Sequence, residues 1–277
     1  MCSSDLDAAI DFVVEVVLPA VADSAPVRNE LALLTESWNK RVLAAGLDEA
    51  TGQWRTVVRG SAAAYASWRF AVQMSNRAGC IDLDQLARFH ATIERWADEL
   101  DAESVQSPAI ETAHAMATQL DRFCADVDIA IGMNVVTGSG DPFAGTKIRG
   151  LAEAGGMRLE GDGVFYLRNE AGQKIYSLDN HEPMPFVPEQ MKTLTTSGVT
   201  FLLDVPCVSE GIDAFENMLA TARNFAETLD GVLVDDNRRP LTDEAIGKIR
   251  HQLTGILAKM DAGQIAAGGA RALRLFS

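Results

Sequence analysis

The middle of the chain holds the segment whose residue types come nearest to a nucleotide-binding loop. Residues 140–147 read GDPFAGTK. A phosphate-binding loop needs Lys directly after its last Gly and then Ser or Thr, whereas Thr146 precedes Lys147 here. This reversal turns the ammonium group about 100° around a helix. The dinucleotide fingerprint is also incomplete, because residues 138–140 supply only its first two glycines. A nucleotide-dependent enzyme is therefore the weakest of the functional hypotheses.

Two adjacent carboxylates, Asp235 and Asp236, are a second candidate, since paired carboxylates bind metals or transfer protons. Arg238 and Arg239 follow them, and arginines this close are expected to pair with the carboxylates and fix a turn. The four histidines share no motif with one another or with a cysteine, and no nucleophile-elbow or zinc-protease motif is present. The sequence therefore predicts no enzymatic activity, no metal site and no cofactor.

Composition excludes further classes of function. The 277 residues carry 24 Lys and Arg against 39 Asp and Glu, which gives a net charge of −15. Nucleic-acid binding rests on clustered basic charge, so no nucleic-acid partner is expected. A hydrophobic fraction of 47% is ordinary for a folded globular protein. The four cysteines are scattered without CxxC spacing, which predicts reduced thiols.

No membrane contact is expected within this chain. The longest apolar stretch near the start, residues 8–22, contains Asp11, Glu15 and Pro19. It is also shorter than the roughly 20 residues that span a bilayer. Residues 1–6 (MCSSDL) resemble an in-frame translation of a sequencing adapter, so they are expected to be non-native, with protein sequence missing upstream.

Hydrophobic periodicity predicts strands alternating with helices along the whole chain. In the first half, the predicted elements are a strand at 10–17, a helix at 24–34 capped by Ser24, a hairpin from 41–46 and 54–58, a strand at 68–74, and helices at 81–100 and 108–123. In the second half, they are strands at 129–136, 164–168, 175–178, 199–205 and 232–234, with helices at 146–154, at 212–229 and from Thr242 onward.

The two halves resemble each other. Residues 91–92 and 96–102 match residues 220–221 and 225–231 at one constant offset, and strand, helix, hairpin, strand and helix recur in the same order. We predict an α+β fold of two related modules in tandem, each a split βαβ antiparallel sheet with helices on one face. The alternative is that any two strand-to-helix units share such patterns. The predicted boundaries are an N-terminal module at 7–105, a helical connector at 106–125 and a second module at 126–277.

The second sheet is predicted to have an unusual second face. Period-two alternation directs Val199, Phe201 and Leu203 toward the helices and leaves Thr200, Leu202 and Asp204 on the other face. On the strand at 129–136 the same face is predicted to hold Ala130, Gly132 and Asn134. A partly apolar face of small residues suits an extended or helical peptide. The alternative is that the first module covers this face and the protein is a structural scaffold.

Residues about 126–257 resemble a known family, the C-terminal domain of the bacterial cell-division protein ZipA, which binds the C-terminal tail of FtsZ. The similarity follows one order with nearly gapless spacing. It is carried by Met133-Asn134-Val135, Gly161-Asp162, Tyr166, Arg168, Ser177-Leu178, Asn180, Met191-Lys192, Thr195-Thr196, Gly198-Val199-Thr200, Val205-Pro206, Phe215, Met218-Leu219, Ala222, Gly231-Val232, Asp235-Asp236 and Arg238-Arg239.

The resemblance implies a split βαβ sheet whose open face is a shallow hydrophobic groove for the FtsZ tail. By matched position, the groove residues would be Ala130, Gly132, Gly163, Phe165, His181, Thr200 and Leu202. It also implies a non-enzymatic adaptor that helps tether the division ring, at the cytoplasmic face of the inner membrane, through an anchor expected upstream. This fragment by itself is expected to be soluble.

Several positions depart from the family pattern. Its larger apolar side chains are replaced here by Ala130, Gly132, Gly163 and His181, which predicts a shallower groove and a lower affinity. A family lysine that faces the acidic tail is replaced by Pro183. With a net charge of −15, attraction to an acidic peptide is not evident.

Overall fold

The computed structural model describes residues 6–58, 63–138 and 140–276. Of the predicted non-native stretch at 1–6, only Leu6 falls within the described residues, and Ser139 of the glycine-rich turn lies outside them. The chain divides into two compact units, the first ending at Asp126 and the second comprising Val127–Phe276. The predicted module and connector boundaries stay predictions.

The first unit contains seven strands and three helices among its described residues. They are β1 (Asp11–Asp23), α1 (Ala25–Thr35), β2 (Val42–Asp48), β3 (Gln53–Thr56), β4 (Ala64–Gln73), β5 (Ser75–Asn76), β6 (Gly79–Cys80), α2 (Leu83–Glu99), β7 (Ser104–Gln106) and α3 (Ile110–Val127).

The main sheet of the first unit has the strand order β3-β2-β4-β1-β7, and every neighbouring pair is antiparallel. Alternate residues of β1 are buried, among them Phe12, Val14 and Val16. Helix α2 covers them with a buried stripe at helical spacing that includes Phe89 and Ile93. These strands and helices agree with the periodicity of the sequence.

Two helix starts in the first unit differ in their capping. The Asp82 side chain accepts a hydrogen bond from the Gln85 amide at 2.7 Å, and the Asp82 amide donates one to the Gln85 side-chain oxygen at 3.1 Å, which is a capping box. Ser24 was expected to cap α1 in this way, and that expectation is wrong. Its hydroxyl accepts a hydrogen bond from Arg28 Nε at 2.9 Å and makes no bond to the helix backbone.

The second unit contains eight strands and four helices among its described residues. They are β8 (Ala130–Thr137), β9 (Phe143–Ala144), α4 (Gly145–Ala154), β10 (Arg158–Leu159), β11 (Phe165–Arg168), β12 (Lys174–Asn180), β13 (Thr195–Thr196), β14 (Gly198–Asp204), α5 (Gly211–Leu229), β15 (Gly231–Val234), α6 (Asp243–Ala262) and α7 (Ala270–Leu275).

The main sheet of the second unit has the order β10-β11-β12-β14-β8-β15, again antiparallel throughout. One face of this sheet packs against α4, α5 and α6 in a single core, in which Phe201 meets Phe225 edge to face with ring centroids 5.2 Å apart. Antiparallel sheets with packed helices confirm the predicted α+β class. The opposite face of this sheet carries the candidate site.

The ends of the second unit are fixed by local signals. Thr242, where the last helix was predicted to begin, caps α6, because its hydroxyl accepts a hydrogen bond from the Ala245 amide at 3.3 Å. The short helix α7, which periodicity did not predict, packs on the turn at Val205–Cys207. None of the described helices is both long enough and apolar enough to cross a membrane.

The two main sheets share part of their topology. In the first sheet, β4 lies on one side of β1 and β7 on the other. In the second sheet, β14 lies on one side of β8 and β15 on the other, so these three-strand arrangements correspond. The hairpins differ, because β2, the earlier strand of its hairpin, pairs with β4, whereas β12, the later strand of its hairpin, pairs with β14. Descent of the two modules from one ancestor stays a prediction.

Candidate functional site

The face of the second sheet that points away from its helices is called the open face. Strand register aligns its residues in rows across the sheet: Ser177, Leu202 and Gly132 form one row, Asp179, Thr200 and Asn134 the next, and Asp204 lies beside Ala130. Residues of the intervening rows, such as Phe201 and Met133, are fully buried in the core. The alternation predicted for β8 and β14 is therefore observed.

A chain of hydrogen bonds crosses the open face. It joins His181, Thr200, Asn134 and Asp236 and is called the polar chain. Thr200 Oγ1 lies 2.6 Å from Asn134 Oδ1, and Asn134 Nδ2 lies 3.0 Å from Asp236 Oδ1. His181 Nδ1 lies 3.3 Å from Thr200 Oγ1. Asn134 is only 4% exposed, so its amide is a buried polar group with partners on both sides.

The donor and acceptor of each hydrogen bond in the polar chain can be assigned in only one way. An ionised Asp236 carboxylate only accepts hydrogen bonds, so the amide nitrogen of Asn134 must face it. The amide oxygen of Asn134 then faces Thr200, which donates its single hydroxyl proton there. The Thr200 oxygen is left to accept, which makes Nδ1 of His181 a donor. In neutral His181 the other ring nitrogen, Nε2, is consequently an acceptor.

Asp236 reaches the sheet because Gly132 has no side chain. A Cβ atom added to Gly132 would lie 3.0 Å from Asp236 Oδ1, closer than ordinary van der Waals contact. The sequence predicted that the small residues on this face would let another backbone come close. In this structure the protein's own Asp236 carboxylate lies against that position instead.

The sequence suggested that ion pairs hold the turn after β15. In the structure, hydrogen bonds to backbone amides hold it instead. The Asp235 carboxylate accepts hydrogen bonds from the backbone amides of Asn237 and Arg239, each at 2.8 Å. Within the described residues, neither Arg238 nor Arg239 forms an ion pair with either aspartate. Asp235 therefore fixes the turn through the backbone, and this leaves Asp236 directed at Asn134.

Apolar side chains flank the polar chain. Leu202 is 43% exposed, and Val232 on β15 is 40% exposed. Val232 pairs laterally with half-buried Val136, and Ala130 is exposed at the start of β8. Leu202 and Val232 are thus the large apolar side chains that this face exposes to solvent.

The loop after β12 is pinned to the sheet beside His181. The Asn180 side chain donates a hydrogen bond to the Met184 carbonyl at 2.7 Å and accepts one from Thr196 at 2.6 Å. Glu182 accepts a hydrogen bond from the Ser197 amide at 2.9 Å, and this bond lowers the pKa of the Glu182 carboxyl. These bonds hold His181 at the end of the polar chain.

The far edge of the open face carries a tyrosine with its charged partners. The Tyr166 hydroxyl donates a hydrogen bond to Asp162 at 2.8 Å, and Lys174 Nζ lies 3.6 Å from the ring centroid. Burial and the bond to Asp162 raise the pKa of Tyr166 to about 12, and the same bond lowers the pKa of Asp162. Arg168 pairs with Glu160. Two of the cations at this edge are thus already engaged, whereas Arg158 on β10, opposite Tyr166, is exposed.

The structure brings together five of the seven predicted groove residues and separates two. The five on the open face are Ala130, Gly132, Thr200, Leu202 and His181. Phe165 is fully buried on the core face, where its ring meets Phe186 at 5.4 Å. Its assignment to the groove is corrected.

Gly163 is the second residue that lies away from the open face. Its φ is +81°, and an added Cβ would lie 2.4 Å from Pro185 Cβ. Its carbonyl accepts a hydrogen bond from the Phe186 amide at 2.9 Å. Gly163 therefore serves a turn packed under the 185–186 segment, and its assignment to the groove is also corrected.

The glycine-rich turn before α4 is not arranged as a phosphate site. The Gly145 amide donates to the Leu194 carbonyl at 2.8 Å, and a Cβ there would lie 2.6 Å from the Met191 carbonyl oxygen. The amide that would face a phosphate is thus occupied, and Lys147 is exposed. No group of three or more His, Cys, Asp or Glu is placed to hold a metal ion in the part of the chain that the structure describes.

Two members of the polar chain were missing from the predicted site residues. Alternation along β8 placed Asn134 on the correct face, and an amide beside Gly132 was the available signal. Asp236 gave no such signal, because it lies 102 residues from Asn134 in sequence and meets it only through the fold of the turn.

Comparison with known proteins relates this unit to one family. Residues 129–252 match the family model described as ZipA, C-terminal FtsZ-binding domain. The resemblance predicted from the sequence is therefore confirmed over this range, which contains every member of the polar chain.

Three relatives, each named Cell division protein ZipA, illustrate the similarity. The protein of Marinobacter nauticus is 34% identical over 126 residues, which is 44% of this chain and 37% of that protein. The one of Vibrio vulnificus is 25% identical over 160 residues, 56% of this chain and 50% of that protein. The protein of Xanthomonas axonopodis is 29% identical over 132 residues, which is 46% of this chain and 54% of that protein. The matched part spans about half the length of these relatives or less.

Proposed function

We propose that the second unit binds the C-terminal tail of FtsZ on its open face, and that the chain acts as a cell-division adaptor. The observation that carries this proposal is the match of residues 129–252 to an FtsZ-binding domain, since that range contains the whole open face. The exposed side chains of Leu202 and Val232 support it, because they offer apolar contact to a peptide.

The proposed contact residues are those that share this face. Leu202 supplies the largest exposed apolar side chain beside Gly132, and Ala130 extends this area toward the start of β8. Thr200 and His181 supply hydrogen-bonding groups at the other side. Gly163 and Phe165 are proposed to support the fold of the face from below and to make no contact with the peptide.

The adaptor role assigns binding, and no chemical step, to this face. The groups in the polar chain are a carboxylate, an amide, a hydroxyl and an imidazole bonded to one another, and the described neighbours hold no metal cluster. We propose further that the adaptor helps tether the division ring to the inner membrane. This tether rests on the family resemblance alone.

Peptide titration tests the proposal. A fluorescently labelled peptide of the FtsZ C-terminal tail is titrated with the full chain, and binding is followed by anisotropy. We expect saturable binding that weakens by about 2 kcal/mol, roughly thirtyfold in Kd, in Leu202→Asp, because a carboxylate would replace a central apolar contact.

The matched control is Leu273→Asp on α7, which adds the same charge at an exposed leucine away from the open face. Its affinity should equal that of the unsubstituted chain. Circular dichroism confirms that both variants fold. Unchanged affinity in folded Leu202→Asp would remove the open face as the binding site. Absence of binding to the unsubstituted chain would contradict the proposal and favour a scaffold whose sheet face is covered.

A further inference from the structure

The polar chain gives the open face a fixed negative group near its centre. The Asp236 carboxylate is held by one hydrogen bond from buried Asn134 and lies against the bare backbone of Gly132. Gly132 pairs with Leu202, so the carboxylate lies beside the most exposed apolar side chain of the face. A bound peptide that covers Leu202 must therefore pass close to this carboxylate.

Asp236 keeps capacity to accept further hydrogen bonds. A carboxylate has about four acceptor positions, and Asn134 is its one hydrogen-bond partner within the described residues. The side chain is exposed and forms no ion pair with the described cations. A peptide group that approaches it can bond without breaking an existing ion pair.

Charges of both signs lie near Asp236, because Arg238 and Arg239 follow it in the turn while the sheet itself carries carboxylates. Asp179 lies beside Thr200 in the next row, and Asp204 lies beside Ala130. Of the cations at the far edge of the sheet, Arg168 pairs with Glu160 and Lys174 lies over the Tyr166 ring, while Arg158 on β10 is exposed. The centre of the face thus carries carboxylates next to apolar side chains, which complements a peptide with a cationic residue among apolar ones.

We propose that Asp236 receives a lysine or arginine side chain of the bound FtsZ tail, and that Asn134 is the positioning residue that holds Asp236 for this contact. The inference rests on the proposed function and specifies the partner chemistry at the same site. It also fits the small residue at position 132, because a Cβ atom there would lie 3.0 Å from Asp236 Oδ1 and the carboxylate would have to shift.

The direction of the polar chain explains why Asn134 suits this role. Its nitrogen faces Asp236 because the carboxylate only accepts hydrogen bonds, and Thr200 donates to the amide oxygen that is left. Replacing Asn134 by alanine removes the donor and frees the carboxylate to rotate away into water. The contact with a cation then weakens, while apolar contacts to Leu202 remain.

The test is a positional scan of the tail peptide on the full chain. Each position of the labelled FtsZ peptide is replaced in turn by arginine, by norleucine and by glutamate, so that charge is varied on side chains of similar length. We expect one position at which arginine binds about fivefold more tightly than norleucine, as for one partly exposed ion pair. Glutamate at that position should bind most weakly.

Three variants connect this preference to named residues. Asp236→Asn should reduce the arginine preference to less than about twofold and leave the affinity of the norleucine peptide unchanged. Asn134→Ala should reduce the preference in part, again without weakening the norleucine peptide. A merely structural effect would weaken both peptides equally. Glu244→Gln on α6, which removes one negative charge from an exposed helix turn, is the matched control and should keep the full preference.

The outcomes separate this inference from the proposed function. If peptides bind but arginine is never better than norleucine, Asp236 does not receive a cation and only this inference fails. If the preference survives in Asp236→Asn, or if Glu244→Gln removes it equally, the assignment to Asp236 is wrong. If no peptide binds to the unsubstituted chain, the proposed function fails and this inference fails with it.

Discussion

Replacing Asn134 by alanine tests whether the polar chain stabilises the second sheet. The side chain is 4% exposed, accepts a hydrogen bond from Thr200 and donates one to Asp236. The neutral bond is worth about 1 kcal/mol net, and the bond to a carboxylate about 1.5 kcal/mol at the low end of its range, since water can solvate the exposed Asp236. We therefore expect a loss of about 2 to 3 kcal/mol in the free energy of opening of β8 and β14.

The assay must report on the second unit. All four tryptophans, Trp38, Trp54, Trp68 and Trp96, lie in the first unit, so tryptophan fluorescence follows that unit alone. Amide hydrogen exchange of the full chain, measured by mass spectrometry on peptides that cover β8 and β14, gives the opening free energy directly. Ser177→Ala is the matched control on the same face, and it should change this value by less than about 0.5 kcal/mol.

A double-mutant cycle with Thr200→Val sharpens the test. Thr200 and Asn134 share one hydrogen bond, so their effects on the opening free energy should be non-additive by about 1 kcal/mol. An Asn134→Ala effect no larger than that of Ser177→Ala, or additive effects in the cycle, would refute the hydrogen-bond chain.

Two further predictions concern residues beside the open face. Gly163→Ala forces a non-glycine residue to adopt φ +81° against Pro185, so it should destabilise the second unit by about 3 kcal/mol. It should leave the Kd of the folded fraction for the tail peptide unchanged in the anisotropy titration, and a changed Kd would return Gly163 to the groove. Tyr166→Phe should raise the pKa of Asp162 toward its ordinary value, measured by carbon NMR, and remove the tyrosine that titrates near pH 12. In the unsubstituted chain, the contribution of Tyr166 to stability is complete below about pH 10 and is lost as pH rises through about 12. The contribution of Asp162 is complete above about pH 4 and is lost as pH falls through its lowered pKa. An Asp162 pKa that is the same in Tyr166→Phe would contradict the hydrogen bond.

Strand alternation predicted the open face wherever the two faces of a strand differ in chemistry. Along β14, large apolar residues alternate with Thr200, Leu202 and Asp204, so only one register buries the apolar set. The same argument placed Asn134 correctly on β8. These strands are central to the sheet, and the burial of one face determines their orientation.

Alternation could not orient β11, because both of its faces carry large side chains. Phe165 and Leu167 alternate with Val164 and Tyr166. The structure buries Phe165 because the 185–186 segment folds over it and brings Phe186 into edge contact. That contact depends on a loop that follows β12, so the sequence near Phe165 contains no signal for it.

The central feature of the site depends on tertiary geometry. Asp236 lies over Gly132 only because Asp235 accepts two backbone amides and turns the chain back toward the sheet. From the sequence alone, the four charged residues at 235, 236, 238 and 239 suggested ion pairs within the turn. Backbone amides competed successfully for Asp235, and a buried amide from β8 bonded Asp236.

Amide NMR can map where the tail peptide binds on the full chain. A deuterated, nitrogen-labelled chain is titrated with the unlabelled FtsZ C-terminal peptide, and shift changes are assigned residue by residue. We expect the largest changes at Gly132, Asn134, Thr200 and Leu202, extending to Val232. Changes confined to the helical side of the second unit, or to the first unit, would contradict it.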